Sequence, residues 1–371
     1  MRVLATLVSA WMLGTGIARA QVPTDIQVGL SKIGPIVDPA CTAKLYRPLM
    51  PANDYNSKVD PLYPGITIAR DLSFGPNPKD LVDIFVADKR GAALPVLIYV
   101  PGGNGNKIEQ QVREANVFYD NIGRWATRNG MVGVIVQRHP GATWDDPAKD
   151  ISAMIQWLQG HIATYGGNPG RMFIWAHSAG NGPVGTYLGR PEVWGPKGVG
   201  LKGAVLMSGQ WNIAPLMGTP VSNAPGAPGA SGAPAAPVSP GPAGSTCGAH
   251  GPSSVEGPIV GPSGASPDAA PAPRGGGPVD ADTQVMRSTL PEYKRTKVAL
   301  LLASAEFDPG VHGTMSAFNQ ILHDELCKEG PAHCPTLLFA KGESHMSEVF
   351  SIDTADHIVS GPILAWMKAV K

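Results

Sequence analysis

Past its first twenty residues, the sequence has no apolar run of 18 residues, no run of Lys or Arg, and no net charge. The first absence leaves no candidate for a membrane-spanning helix in the body of the chain. The other two remove the electrostatic footprint expected of a nucleic-acid or anionic-membrane partner, since 29 basic residues balance 29 acidic ones. There is no His-Glu-x-x-His pair and no dinucleotide-binding glycine fingerprint, so neither a metal nor an organic cofactor is expected. Charged residues make up only 16% of the 371 positions, and apolar ones 43%. That balance excludes a solvated, disordered chain and allows one large domain, or two small ones, with a buried core.

The N-terminus holds the one long apolar stretch. Arg2 precedes Val3 to Ile17, and Ala18-Arg19-Ala20 offers a small-x-small cleavage site. This is the pattern of a secretory signal, with the mature chain expected to start at Gln21 in a periplasm or outside the cell. No Cys follows the cleavage site, so no lipid anchor is expected. Export makes the 4 cysteines readable as disulfides. Cys327 and Cys334 bracket a turn-rich stretch between an expected helix and an expected strand, which suits a small-loop bridge. Cys41 and Cys247 are then left over, and their pairing stays open. The rival reading is a metal site from Cys327, His333 and Cys334. It is the weaker one, because adjacent ligands rarely converge on one ion and no fourth ligand offers itself.

From about Ile66 onward, short β-branched runs alternate with amphipathic stretches. The runs Pro95 to Val100, Val132 to Gln137, Arg171 to Ala176, Ala204 to Ser208, Val298 to Ser304 and Thr336 to Ala340 read as strands covered on both faces. Ile151, Met154, Ile155, Leu158 and Ile162 fall on one helical face, and so do Met315, Phe318, Ile321, Leu322 and Leu326. The expected architecture is a mainly parallel central sheet flanked by helices. Ile66 to Phe74 and Leu81 to Val86 suggest a leading antiparallel pair. Residues 21–65 show turns but little periodicity and are expected to wrap the domain as an irregular extension. Residues 220–282 are almost entirely Gly, Ala, Pro and Ser, and read as a long disordered insertion.

Three places carry chemistry. Arg171 to Ala176 runs into His177-Ser178-Ala179-Gly180, a buried strand entering a small-x-Ser-x-Gly turn, with Asn181 to Leu188 able to start a helix. Such a turn lifts a serine hydroxyl above the edge of a sheet, and the helix beyond it favours negative charge. Upstream, the run ending at Val100 enters Pro101-Gly102-Gly103-Asn104-Gly105, whose backbone N–H groups, with that of Ala179, could hold an oxyanion. Downstream, the run from Val298 enters Ala305-Glu306-Phe307-Asp308-Pro309, and the last strand is followed by Lys341-Gly342-Glu343-Ser344-His345. Serine, acid and histidine thus come in the order of a nucleophile-elbow hydrolase, unlike the chymotrypsin and subtilisin orders.

From about Leu81 to the C-terminus the chain resembles the carboxylesterase and hormone-sensitive-lipase-like branch of the α/β-hydrolases. The matching pieces are Pro101-Gly102-Gly103, Asp146 to Trp157, Tyr165 to Arg171, His177-Ser178-Ala179-Gly180, and Ala305-Glu306-Phe307-Asp308-Pro309. The resemblance implies an α/β-hydrolase fold over residues 66–371. It implies Ser178 as nucleophile, Asp308 as acid and His345 as base, with Gly102, Gly103 and Ala179 as oxyanion donors. Glu306 is the alternative acid, since some carboxylesterases use Glu. The sequence departs from the branch at Pro101, where a His is usual, at Ala176, where a Gly is usual, and in the Pro/Gly/Ala tract that stands where a cap is usual. The implied activity is hydrolysis of small-molecule carboxylic esters through an acyl-enzyme. Alternatives are an amidase, formamidase or peptidase with the same triad, or a non-catalytic binding protein on the same fold.

Overall fold

The computed structural model describes residues 22–51, 63–102, 117–137, 145–209, 247, 293–309 and 314–371, with side chains from 148 and 315 onward in the helices that begin at 145 and 314. The leader at 1–20 lies outside these residues, and so does the 220–282 tract apart from Cys247. Ile66–Ser73 (β1) and Leu81–Ala87 (β2) form the expected antiparallel pair. Leu94–Val100 (β3), Val132–Gln137 (β4), Gly167–His177 (β5), Gly203–Met207 (β6), Ala299–Phe307 (β7) and Thr336–Ser344 (β8) complete an eight-stranded sheet. Its order is β1-β2-β4-β3-β5-β6-β7-β8, and every pairing from β4 onward is parallel.

Side chains on these strands alternate between two cores, as the two-residue period of a strand requires. Val96 and Ile98 on β3, Met172 and Ile174 on β5, and Ala204 and Leu206 on β6 face one side. There they meet Asp145–His161 (α4), Asn181–Gly189 (α5) and Thr314–Cys327 (α6), through residues such as Ile151, Ile155, Val184 and Leu322. Leu97, Tyr99, Phe173, Trp175, Val205 and Met207 face the other side. That face is covered by Asp120–Arg128 (α3), Ser347–Phe350 (α7) and Ser360–Ala369 (α8), and by two helices of the N-terminal segment. Both apolar stripes read from the sequence therefore pack on the same side of the sheet.

The described residues of the N-terminal segment, expected to be irregular, hold two helices. Thr24–Ile33 (α1) buries Ile26, Leu30 and Ile33, a four-then-three spacing that places them on one helical face. Pro39–Tyr46 (α2) starts from Asp38, whose carboxylate accepts from the Cys41 N–H at 2.9 Å, with proline in the first turn. Each helix is so short that its stability comes from docking on the sheet, which local periodicity does not register. The expected Cys327–Cys334 disulfide is present, and Cys41 pairs with Cys247, the pairing that the sequence left open. Two strands also run past their apolar cores. β7 continues to Phe307, so Glu306 lies inside the strand rather than beyond its end. No helix among the described residues is long and apolar enough to cross a membrane.

Candidate active site

The parallel strands β3, β5, β6, β7 and β8 all point the same way, so their C-terminal ends share one edge. At that edge β5 ends at His177 and the chain turns through Ser178 at φ +51°, a left-handed backbone that a serine adopts only under constraint. A 3₁₀ turn over Ser178–Gly180 leads directly into α5. Gly180 must lack a side chain, because a Cβ there would lie 2.7 Å from the Val100 carbonyl oxygen and 2.8 Å from that of Pro101. Asn181, buried at the start of α5, donates to the carbonyls of Ser178 and Met207, both at 2.8 Å, tying the turn to the end of β6.

His345 follows β8 directly and Asp308 follows β7 directly. The His345 Nε2 lies 2.9 Å from the Ser178 Oγ, and its Nδ1 lies 2.8 Å from the Asp308 Oδ1. A carboxylate beside Nδ1 requires the Nδ1–H tautomer, which leaves the Nε2 lone pair to accept from the serine hydroxyl. Asp308 is itself held. Its Oδ2 accepts from the Ala305 N–H at 2.8 Å and from the Ser208 hydroxyl at 2.7 Å. Glu306, the alternative acid, points elsewhere, with its Oε2 accepting from the Gly342 N–H at 2.7 Å. Gly102 stands against the serine, since a Cβ on it would lie 2.7 Å from the Ser178 Cβ. Ala179 is exposed at the turn, and Gly103 lies outside the described residues.

Solved structures share this architecture across nearly their whole length. A truncated form of a carbohydrate esterase from gut microbiota superposes with a TM-score of 0.54 at 14% identity, covering 86% of this chain and 98% of that one. Esterase B from Lactobacillus rhamnosis (HN001) does so with a TM-score of 0.53 at 12% identity, covering 94% and 96%. This chain has the α/β-hydrolase fold. The profile of the carboxylesterase family matches residues 80–224 of it, a stretch that contains the serine turn. Probable isoprenylcysteine alpha-carbonyl methylesterases are similar as well. That of Arabidopsis thaliana is 27% identical over 122 residues and that of Oryza sativa subsp. japonica 29% over 119 residues, each match taking in 30% of this chain. The chain spans only 23% and 26% of those two relatives' own lengths.

Several residues of this chain join the site without a signal of their own in the sequence. Ser208, at φ +47° just past β6, reaches the outer oxygen of Asp308. His177, buried before the serine, donates from Nε2 to the His345 carbonyl at 2.8 Å, and the two rings lie 4.8 Å apart. Burial holds His177 well below the ordinary histidine range, and any charge on His345 adds to the effect, so His177 is neutral. Glu348, one helical turn after His345, places its Oε1 3.2 Å from the His177 Nε2. Burial raises its carboxyl well above the usual range and Asp308 raises it further, which favours the protonated acid. Deeper still, Glu343 accepts from the Ser347 hydroxyl and lies 3.3 Å from the Tyr46 hydroxyl. Burial, then Asp356, raises Glu343 as well. His177, Glu343 and Glu348 lie near a site residue in sequence, but proximity does not say which way a side chain turns, and Ser208 has not even that hint.

Proposed function

We propose that this chain is an exported serine carboxylesterase with Ser178 as nucleophile, His345 as general base and Asp308 as the acid that orients it. The observation that supports this reading is the unbroken chain from Asp308 through His345 to Ser178, with links of 2.8 and 2.9 Å. In the reaction, Ser178 Oγ attacks the ester carbonyl carbon as His345 Nε2 takes its proton. The oxyanion is stabilised by backbone N–H groups at Gly102, Gly103 and Ala179. Collapse of the tetrahedral species expels the alcohol, which takes the proton from His345. A water activated by the same ring then releases the acid. Asp308 holds the ring in its productive tautomer and stabilises the imidazolium. The two disulfides and the leader-like N-terminus support export.

A fluorophosphonate probe should label the protein once, at Ser178. Ser178→Ala should lower turnover of short acyl esters about 10⁴-fold or more. Labelling at another serine, or activity retained in the variant, would overturn the reading. A panel of esters against matching anilides separates ester from amide hydrolysis.

A further inference from the structure

Two hydrogen bonds tie His345 to the serine turn. One joins the Ser178 Oγ to the His345 Nε2 at 2.9 Å. The other comes from the residue just before the nucleophile, whose ring nitrogen, the His177 Nε2, lies 2.8 Å from the His345 carbonyl oxygen. A carbonyl only accepts, so the His177 proton sits on Nε2 and the ring is the donor. The Glu348 Oε1, 3.2 Å from the same nitrogen, offers it a second oxygen. The ends of this bond have different footings. His177 is the last residue of β5, buried and paired with Met207 of β6, so the sheet carries its ring. His345 lies between the end of β8 at Ser344 and the start of α7 at Ser347, outside the ladder.

The two bonds fare differently during ester hydrolysis. Acylation removes the first, because a Ser178 Oγ bonded to the acyl carbon has no hydrogen left to donate. Deacylation therefore begins with the His345 Nε2 facing water, and it needs the ring to stay where the serine hydroxyl had held it. Nε2 takes a proton from that water as the water oxygen bonds the acyl carbon. Collapse then breaks the bond to Oγ, which takes the proton back. Through this half of the cycle Asp308 still holds the ring, at Nδ1 and 2.8 Å, and His177 still holds the backbone.

We propose that His177 is a positioning residue for deacylation, keeping His345 aligned with the acyl-enzyme once the serine hydroxyl is no longer there to hold it. The role rests on the esterase reading above. A neutral histidine suits it, since the ring supplies an N–H without adding charge. A cation there, with the two rings 4.8 Å apart, would oppose the imidazolium that forms on His345, and burial keeps His177 neutral. Misplacing a catalytic group by about 1 Å costs on the order of 10²-fold in rate, so the loss of one tether is measurable.

The test follows both half-reactions of the full chain on one activated ester, p-nitrophenyl acetate. The burst of p-nitrophenolate after rapid mixing gives acylation, and mass spectrometry of quenched protein gives the decay of acetyl on Ser178. His177→Leu removes the donor, and His177→Gln supplies an amide N–H in its place. In His177→Leu, deacylation should slow about tenfold or more and acylation no more than about twofold. Acetyl-enzyme then accumulates, and kcat and KM fall together while kcat/KM is nearly unchanged. His177→Gln should recover most of the deacylation rate. Equal slowing of the two steps, or unchanged deacylation, in His177→Leu would overturn the role, and so would slow deacylation in His177→Gln. If His177→Leu fails to fold, His177→Asn, whose shorter amide falls short of the carbonyl, takes its place in the same comparison. No acetyl on Ser178 in wild type would overturn the esterase reading and the role of His177 with it, whereas an acetyl-enzyme whose decay ignores these substitutions overturns the role alone.

Discussion

The two faces of the sheet solve burial differently. The face under α4, α5 and α6 is mostly aliphatic, with Val, Ile, Leu and Met meeting one another at 0% exposure along β3, β4, β5 and β6. The face under α1, α2, α3, α7 and α8 holds most of the aromatic rings and nearly all of the buried charge. There Arg70 donates to Asp120 at 2.6 and 2.8 Å and to Asp83 at 3.0 Å. Arg124, fully buried, pairs with Asp353 at 2.8 Å and lies over the Tyr63 ring. Glu343 and Asp356 share the Tyr46 hydroxyl beneath the His345 loop. An aliphatic face needs only volume and pattern, whereas a face with buried ions needs each ion matched to a particular partner. His345 hangs from the second face, so its position depends on specific pairings.

Substitutions can separate the two faces by the size and pH dependence of their effects. The largest effect belongs to the site itself. Asp308→Asn should cut turnover by about 10⁴-fold by favouring the wrong tautomer of His345, with little change in KM. Glu306→Gln, which alters only a contact to the Gly342 N–H, should cost far less. Equal losses would mean that both carboxylates act on the ring.

Next comes Arg70→Met, which takes the cation from two fully buried carboxylates, Asp83 and Asp120. Urea unfolding should show a loss of about 3 to 5 kcal/mol. Ile155→Val on the aliphatic face should lose only about 0.5 to 1.5 kcal/mol by the same measurement. Similar losses for the two would erase the distinction between the faces.

The last comparison is Glu343→Gln, read as stability against pH. Glu343 is raised above its ordinary value of 4.5 in the folded chain, chiefly by burial and then by Asp356. The folded state therefore holds a proton that the unfolded chain has released above pH 4.5, so this group's contribution falls as pH rises from there. The variant has no such proton and should gain on wild type by up to about 1.4 kcal/mol per pH unit over that window. Parallel stability curves would show that Glu343 is ionised in the fold.

How far the sequence could be read follows the same division. The strands of the parallel sheet and the helices α4 and α6 were legible because they are long, apolar and periodic. The serine turn was legible because its small residues answer a local steric demand, seen at Gly180. The helices α1 and α2 were missed, being too short to announce themselves without the surface they dock on. β7 and β8 outran their apolar runs because parallel pairing, extending to Phe307 opposite Ser344, stabilises polar residues that have no strand preference of their own.

The sequence by itself determined the class of fold, the serine turn, the order of the residues that could carry chemistry and the small-loop bridge between Cys327 and Cys334. These depend on local backbone demands and on periods of two and about four residues, all of which lie within a short window. The tertiary structure showed which of the two carboxylates faces His345, Asp308 rather than Glu306, and it alone decided that Ser208, His177 and Glu348 stand around that pair. Each of those is a meeting of side chains from separate elements. It turns on strand ends and helix faces brought together from distant parts of the chain, and no local pattern encodes such a meeting.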